Sequence, residues 1–529
     1  MMPLLKTAVW KRWLLLMLVA FAAYPVQAKQ KNVLFIAVDD LKPLLNCYGH
    51  EHVHSPNIDA LAASGMVFQN AHCQQALCGP SRMSLLTGYY PDTLGIYGMG
   101  PERYRFRPRF PDLVTLPQHF KNNGYVTIGT GKIFDPRNLD GDWNGPQDAA
   151  SWTHFFGRNP YNANIGGPII SGRYHNPAFK DLVAELKKKG SALGLTDKKL
   201  QQYVRDHGGG PAVECYDVPD DSYQDGAIAN RGIEQLETLK NSNKPFLLAI
   251  GFVKPHLPFV APKKYWDLYD RETLELAAHQ RYPQDSPKCA ETKYVEARTY
   301  SGVPTTGPIS PATQRELIHG YLACVSYVDA QIGRLIAKLK ETGMQEDTII
   351  LLWGDHGFHL GDKQLWGKHT NYEQSTRTPL IIASPDLPGA GINRSPVNLI
   401  DIFPTLCELT DLEPPTGTEG KSLAPILQHS RDSVNEFAAT IFPHDKHWGV
   451  AIRTERYRYI AWYKGVMSKK RSGARLKQKP QFTELYDYHS DPLEQTNLSG
   501  NPSYKEIEEK LAKMNRAHVA ATQNRQFSN

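Results

Sequence analysis

The sequence predicts an α/β fold: a large mixed, mostly parallel sheet flanked by helices, followed by a smaller C-terminal α+β segment. Apolar runs of strand length recur at residues 33–38, 125–129, 246–252, 348–353 and 380–384, with helical patterns between them. Unbroken apolar runs suit strands covered on both faces, as in a parallel sheet. The third observation is size. A chain of 529 residues can bury a large core, and 41% hydrophobic with 22% charged residues is ordinary for a folded soluble protein. This composition argues against disorder and against a multi-span membrane protein. A formal charge of +6 fits an acidic ligand and does not imply nucleic acid.

Taken in order, residues 1–28 read as a signal peptide. Lys6, Lys11 and Arg12 form a basic start, residues 13–23 are apolar, and Val26-Gln27-Ala28 resembles a cleavage site. The apolar run is about half of the roughly 20 residues that span a bilayer. No Cys follows Ala28, so neither a membrane anchor nor a bacterial lipid anchor is expected. The mature chain is expected to begin near Lys29, in the periplasm or outside the cell. Residues 29–430 form the main domain, with a polar, Gly-rich insertion at about 140–225 over one sheet edge. Residues 320–340 read as a helix with Leu322, Val325, Val328, Ile332 and Leu335 on one side. Residues 398–412 look like the last helix of this domain, before the link Glu413-Pro414-Pro415. A smaller subdomain, residues 431–529, contains β-rich runs at 448–452 and 456–463. Seven cysteines, at 47, 73, 78, 215, 289, 324 and 407, form no metal-binding cluster by spacing. An odd count leaves at least one thiol unpaired, and pairings stay open.

Four of the predicted strands end in residues suited to ion chemistry. The first runs into Asp39-Asp40 and the fourth into Asp355-His356, while the second leads to Lys132 and the third to Lys254 and His256. Ligands of open α/β sheets bind outside the carboxyl ends of strands. Asp-Asp after one strand is often only a helix cap, but four such endings together are more than capping. The oxygen-rich set Asp39, Asp40 and Asp355 suits a hard cation such as calcium, with magnesium second. Zinc would call for more Cys and His.

The run Cys78-Gly79-Pro80-Ser81-Arg82 is the second feature. Pro80 suits a first helical turn, which places Cys78 at a helix N-terminus, where anions are favoured. Arg82 adds a fixed charge able to pair with two oxyanion oxygens. A buried inert cysteine and an ordinary thiolate nucleophile are the other readings; no Cys–His–Asn context supports the latter.

Cys78-x-Pro80-x-Arg82 resembles the signature of the formylglycine-dependent sulfatases, and the resemblance extends over nearly the whole mature chain. The run from Asn32 to Asp40 resembles the family's opening strand and metal ligands. Ser55-Pro56-Asn57-Ile58-Asp59, Lys254-Pro255-His256, Gly354-Asp355-His356-Gly357 and Leu365-Trp366-Gly367-Lys368 are similar to further family motifs. So are Glu484-Leu485-Tyr486-Asp487 and Asp491-Pro492-Leu493-Glu494 near the C-terminus. The branch it resembles is that of the iduronate-2-sulfatases. The resemblance implies an alkaline-phosphatase-like fold, one calcium ion, and oxidation of Cys78 to formylglycine by a maturation enzyme. By position, Asp39, Asp40, Asp355 and His356 would hold the calcium together with modified Cys78. Arg82, Lys132 and Lys368 would stabilise the sulfate, and His256 would hydrogen-bond or protonate the leaving group. The hydrated formylglycine would take up the sulfate through one hydroxyl and expel it by deprotonation of the other. The implied substrate is a sulfated carbohydrate, such as a polysaccharide or its oligosaccharides with 2-O-sulfated uronic acid.

At one place the chain departs from this pattern. Asp135 stands where the branch carries a histidine, three residues after Lys132. It either replaces that histidine as the base for sulfate release or caps a turn at Pro136, with a residue such as His256 serving as base. His359, His369, His444 and His447 lie near the motifs, as structural residues or substrate contacts. A basic strip at residues 464–479 is a solvated loop or a contact for neighbouring sulfates. The rival readings are a phosphodiesterase or phosphonate hydrolase of the same superfamily, which usually carries Thr or Ser for Cys78, and a non-catalytic binder of sulfated glycans.

Overall fold

The computed structural model describes residues 30–143, 145–157, 174–387, 391–465 and 479–525, and Lys31–Asn529 form one compact unit. The expected signal peptide, residues 1–28, and Lys469, Lys470, Arg471, Arg475 and Lys477 of the basic strip lie outside the described residues. Eight strands build the main sheet: β1 (Asn32–Asp39), β2 (Met66–Phe68), β3 (Val126–Gly131), β4 (His154–Phe156), β5 (Phe246–Pro255), β6 (Thr348–Gly354), β7 (Leu380–Ala383) and β8 (Gly391–Asn393). Their spatial order is β8-β2-β7-β6-β1-β5-β3-β4. Only β7 runs against its neighbours, so the sheet is mixed and mostly parallel.

The apolar runs are continuous because both faces of the sheet are covered. Along β1, Leu34, Ile36 and Val38 enter one core while Val33, Phe35 and Ala37 enter the other. β5 and β6 divide likewise, with Leu248, Ile250 and Leu352 on the first side and Leu247, Ala249 and Leu351 on the second. The second core takes Met83, Leu85 and Leu86 of α1 (Cys78–Thr87). The first is covered by α2 (Gln224–Leu239) and the long α3 (Pro311–Glu341). All five apolar residues expected on one side of α3 are buried there. α3 begins at Pro311, nine residues before the expected start, because Ser310 caps it by accepting from the Thr313 amide at 3.2 Å.

The polar stretch at 140–225 supplies part of the sheet: β4 pairs with β3 as its outermost strand. Further along, Pro177–Ala192 and Asp197–Asp206 are helices. The last helix of the main domain is shorter than expected, Ile402–Leu409, after a single 3-10 turn whose Asp401 and Asn398 form a capping box. The C-terminal domain is an antiparallel sheet of β9 (Ala438–His444), β10 (His447–Arg453), β11 (Tyr457–Lys464) and β12 (Phe482–Asp487). α4 (Lys505–Asn524) packs on it through Leu511 and Val519. Asn515 of α4 donates to the Val450 carbonyl at 2.8 Å and accepts from Tyr463 at 3.0 Å. No cysteine is in a disulfide. Among the described residues no helix is long and apolar enough to cross a membrane.

Candidate active site

Four adjacent parallel strands end together, and the residues after them meet. β1 delivers Asp39 and then Asp40, whose φ of 61° turns the chain sharply out of the strand. β6 delivers Asp355 and His356. The Asp40 amide donates to Asp355 Oδ1 at 3.0 Å, tying the two strand ends together. β3 delivers Lys132 beside β5, where Gly131 lies opposite Gly251. A Cβ on Gly131 would sit 2.1 Å from the Gly251 carbonyl oxygen, so only glycine lets the Lys132 amide donate to that oxygen at 2.8 Å. His256 follows β5 and Lys368 follows the short strand Trp366–Gly367. Cys78 is the first residue of α1, with Leu77 still extended before it.

The buried charges are matched in pairs. Arg82 is fully buried and spans two carboxylates, with Nε 2.9 Å from Asp355 and Nη2 3.1 Å from Asp39. It also donates to the carbonyls of Lys132 and Ile133. Lys132 Nζ lies 2.8 and 2.6 Å from the two oxygens of Asp39, and Lys368 Nζ lies 2.9 and 2.8 Å from those of Asp40. Burial alone would raise the Asp39 carboxyl, but Lys132 and Arg82 outweigh it and hold it well below the usual range. Asp40 goes the other way: burial, with Asp39, Glu296 and Asp355 repelling, pushes it well up despite Lys368. Burial and the Asp39 charge push the Cys78 thiol well above its ordinary value, the reverse of a thiolate nucleophile's setting.

His356 defines a cation-sized gap. Nδ1 lies 2.9 Å from the Gly357 carbonyl, which can only accept, so Nδ1 carries the hydrogen. Nε2 then presents a lone pair, 3.2 Å from Cys78 Sγ, 3.4 Å from Asp40 Oδ1 and 3.7 Å from Asp355 Oδ1. Burial lowers the ring's pKa and keeps it neutral. A lone pair facing carboxylate oxygens fits a bound cation. Ligand atoms of Asp39, Asp40, Cys78 and His256 lie within 4.8 Å of one another, as do those of Cys78, Asp355 and His356.

His256 is held the same way, with Nδ1 2.6 Å from the Leu257 carbonyl and Nε2 3.5 Å from Glu296. Burial and Lys368 lower its pKa well below the ordinary value. Lys254 turns instead to the carbonyls of His256 and Pro258, at 2.7 and 2.6 Å. Asp135 caps the turn Pro136–Asn138, accepting from the Arg137 amide at 3.1 Å. Both its oxygens are also engaged by the Arg137 side chain, at 2.8 and 2.6 Å, and Lys132 lies 3.7 Å away. Burial would raise this carboxyl, but Arg137 and Lys132 depress it strongly. Of the other histidines, His359 bonds Thr370 at 2.9 Å, His444 lies 3.1 Å from the Glu291 carbonyl, and His447 bonds Gln481. His369, with φ of 61°, packs its ring against Tyr294 at 4.9 Å, beside the site.

Glu296 was not among the expected site residues. It lies 3.0 Å from Lys368 and 3.5 Å from His256, on a 3-10 turn (Glu296–Thr299). Ser81, which donates to the Asp355 carbonyl at 2.5 Å, and Tyr321, which donates to that of Asp40 at 2.9 Å, were also missed. Ser81 stands in the signature run, but nothing local marked its partner.

The sulfatase family model matches residues 31–412, and that of the N-sulphoglucosamine sulphohydrolase C-terminal region matches residues 361–520. A sulfatase of Formosa agariphila is 32% identical, covering 90% of this chain and 85% of that protein. Human iduronate 2-sulfatase is also 32% identical, covering 88% of this chain and 90% of the relative. A phosphonate monoester hydrolase from Silicibacter pomeroyi superimposes with a TM-score of 0.67 at 22% identity, over 93% of this chain and 96% of that one. It shares the alkaline-phosphatase-like fold. The family match over most of the sequence, and the identity to sulfatases along nearly its full length, establish that the chain belongs to the sulfatase family and is a sulfuric ester hydrolase.

Proposed function

We propose that the protein removes sulfate from a sulfated carbohydrate, using Cys78 matured to formylglycine and one calcium ion. The observation that carries this reading is the His356 Nε2 lone pair, which faces Cys78 and two carboxylates. Asp39, Asp40, Asp355 and His356, with modified Cys78, are the residues that would hold the ion. Charge supports the same reading. Four carboxylates, Asp39, Asp40, Asp355 and Glu296, stand against three cations, Arg82, Lys132 and Lys368. A divalent cation turns that balance positive, as an anionic substrate requires. When bound, calcium and the hydrated formylglycine would supply an acidified hydroxyl as nucleophile.

The chain's own side chains do the rest. Arg82 locks Asp39 and Asp355 in register, and the ammonium groups of Lys132 and Lys368 neutralise charge on the sulfate oxygens. His256 Nε2 carries the proton to the leaving sugar oxygen. Burial disfavours its imidazolium, and Glu296 at 3.5 Å, together with the substrate's negative charge, restores it. Left neutral after that transfer, His256 can accept the proton released as sulfate departs. Asp135 suits that role less: its oxygens are occupied by Arg137 and its basicity is depressed. Human iduronate 2-sulfatase supports a 2-O-sulfated uronic acid unit as substrate. We place the catalytic machinery in residues 29–430 and the C-terminal subdomain in 431–529. The protein is exported after cleavage near Ala28, and a formylglycine-generating enzyme is its maturation partner.

The test is sulfate release from defined sulfated oligosaccharides, with mass spectrometry of the Cys78 peptide. Active protein should show a peptide lighter than the cysteine form by about 18 Da. Chelation should abolish turnover and calcium should restore it. Full activity with an unmodified thiol, rescue by zinc but not calcium, or higher kcat/KM on a phosphonate or phosphodiester would each overturn the reading.

A further inference from the structure

Asp135 holds an arginine at the site. Its carboxylate is fully buried, yet both oxygens are taken by one neighbour: Oδ1 by Arg137 Nε at 2.8 Å and Oδ2 by Arg137 Nη2 at 2.6 Å. A two-pronged bond from a buried carboxylate fixes the plane of a guanidinium as well as its position. Arg137 is nevertheless not buried. Its side chain is 39% exposed, it lies over the Trp143 ring at 5.5 Å, and its Nη1 edge donates to no described residue. The arrangement holds one edge of the fork and leaves the other for a partner from outside.

The guanidinium stands beside the reaction centre. Asp135 Oδ2 is 3.7 Å from Lys132 Nζ, which in turn binds Asp39 at 2.6 Å. Tyr294 is 46% exposed and lies against His369, the residue after Lys368. The Arg137 charge contributes to the lowering of His369, whose pKa burial and its neighbours bring to about 4, and it also acts on Tyr294. The Arg137 charge therefore reaches the stacked pair Tyr294 and His369 beside Lys368. The transferred sulfate already has Lys132 and Lys368, while Arg82 is taken up by Asp39 and Asp355. An additional preorganised fork at the rim matches a different anionic oxygen pair on the same ligand.

We propose that Arg137, oriented by Asp135, is a specificity-determining residue that binds a second anionic group on the sulfated sugar, a carboxylate or a second sulfate. This rests on the sulfatase reading above.

The experiment compares kcat/KM for two substrate pairs on wild type, Arg137→Lys and Arg137→Ala. One pair is a sulfated uronic acid and its carboxyl-reduced counterpart; the other is a disulfated hexosamine and its monosulfated counterpart. Wild type should prefer the doubly anionic member of at least one pair by about tenfold or more, the worth of one charge-assisted hydrogen bond. That pair identifies the second anion as carboxylate or sulfate. In Arg137→Ala the preference should fall towards one, chiefly through KM. Arg137→Lys, which keeps a cation beside Asp135 but loses the fork, should lie between. A preference ratio within one preparation does not depend on the fraction folded, so a destabilised variant still answers. An unchanged ratio in Arg137→Ala, or no wild-type preference in either pair while sulfate is released, overturns the proposal. Wild type that releases no sulfate from any of the four overturns the sulfated-carbohydrate reading and this inference with it.

Discussion

One carboxylate stands between a lysine and a histidine of the site: Glu296 lies 3.0 Å from Lys368 and 3.5 Å from His256. Its own carboxyl would be raised by burial but is held below the ordinary value by Lys368. Removing its charge in Glu296→Gln leaves His256 with Lys368 nearby and one fewer anion to stabilise an imidazolium. The histidine's pKa should then fall further, so the proton donor proposed above is lost at lower pH. We expect kcat to drop about 10- to 100-fold, the scale of one general acid, with the alkaline limb of the pH–rate profile moved to lower pH. An unmoved limb would mean Glu296 only packs against Lys368. Asp39, Asp40, Lys132, Asp355 and His356 were legible in the sequence because each directly follows an apolar strand. Glu296 and Arg137 were not, because each enters on a 3-10 turn in irregular chain, where spacing carries no signal.

The long helix α3 reaches into the site through one side chain. Tyr321 donates to the Asp40 carbonyl at 2.9 Å and accepts from the Lys42 amide at 2.9 Å, so one hydroxyl clamps both sides of the bend. Asp40 needs such a clamp. A non-glycine residue at φ 61° stores on the order of 1 kcal/mol or more and persists only where its surroundings enforce it. Tyr321→Phe removes the clamp and leaves a buried acceptor and a donor without this partner. The expected cost is about 1–3 kcal/mol for each group left unsatisfied, seen as a lower thermal midpoint. If calcium binds as proposed above, the concentration needed for half-maximal activity should rise, because Asp40 would no longer be preset to hold it. Unchanged calcium dependence would confine Tyr321 to packing. The same contrast between long and short elements governs what the sequence reveals. β1, β5 and β6 are long enough for both covered faces to register as continuous apolar runs. β2, β4 and β8 have three residues each, too few for any period to emerge, and they gain their place from neighbouring strands.

At the scale of the whole molecule, the C-terminal helix α4 meets the sulfatase domain near Glu419, in the segment after the Pro-rich link. Glu419 accepts from the Tyr90 amide at 2.7 Å and from the Thr93 hydroxyl at 2.9 Å, and Thr93 lies 3.4 Å from the Thr522 carbonyl of α4. Nothing in the local sequence marks this seam, since its partners are more than three hundred residues away in the chain. Burial pushes the Glu419 carboxyl from its ordinary 4.5 up to about 7, because the hydrogen bonds it accepts only partly replace lost hydration. The folded state therefore holds this proton more tightly than the unfolded chain. By linkage, the stabilisation is fully present below about 4.5 and is lost as pH rises through about 7. Glu419→Gln keeps the side chain's size and cannot ionise. Urea denaturation of both proteins at intervals from pH 5 to pH 8 should show wild type losing ground to the variant across that span, with the gap levelling above about 7. Any fixed offset from replacing an oxygen by an amide nitrogen is independent of pH and drops out of the comparison. Parallel stability profiles would show instead that Glu419 is ionised at this seam throughout, with the Tyr90 and Thr93 bonds sufficient to hold its charge.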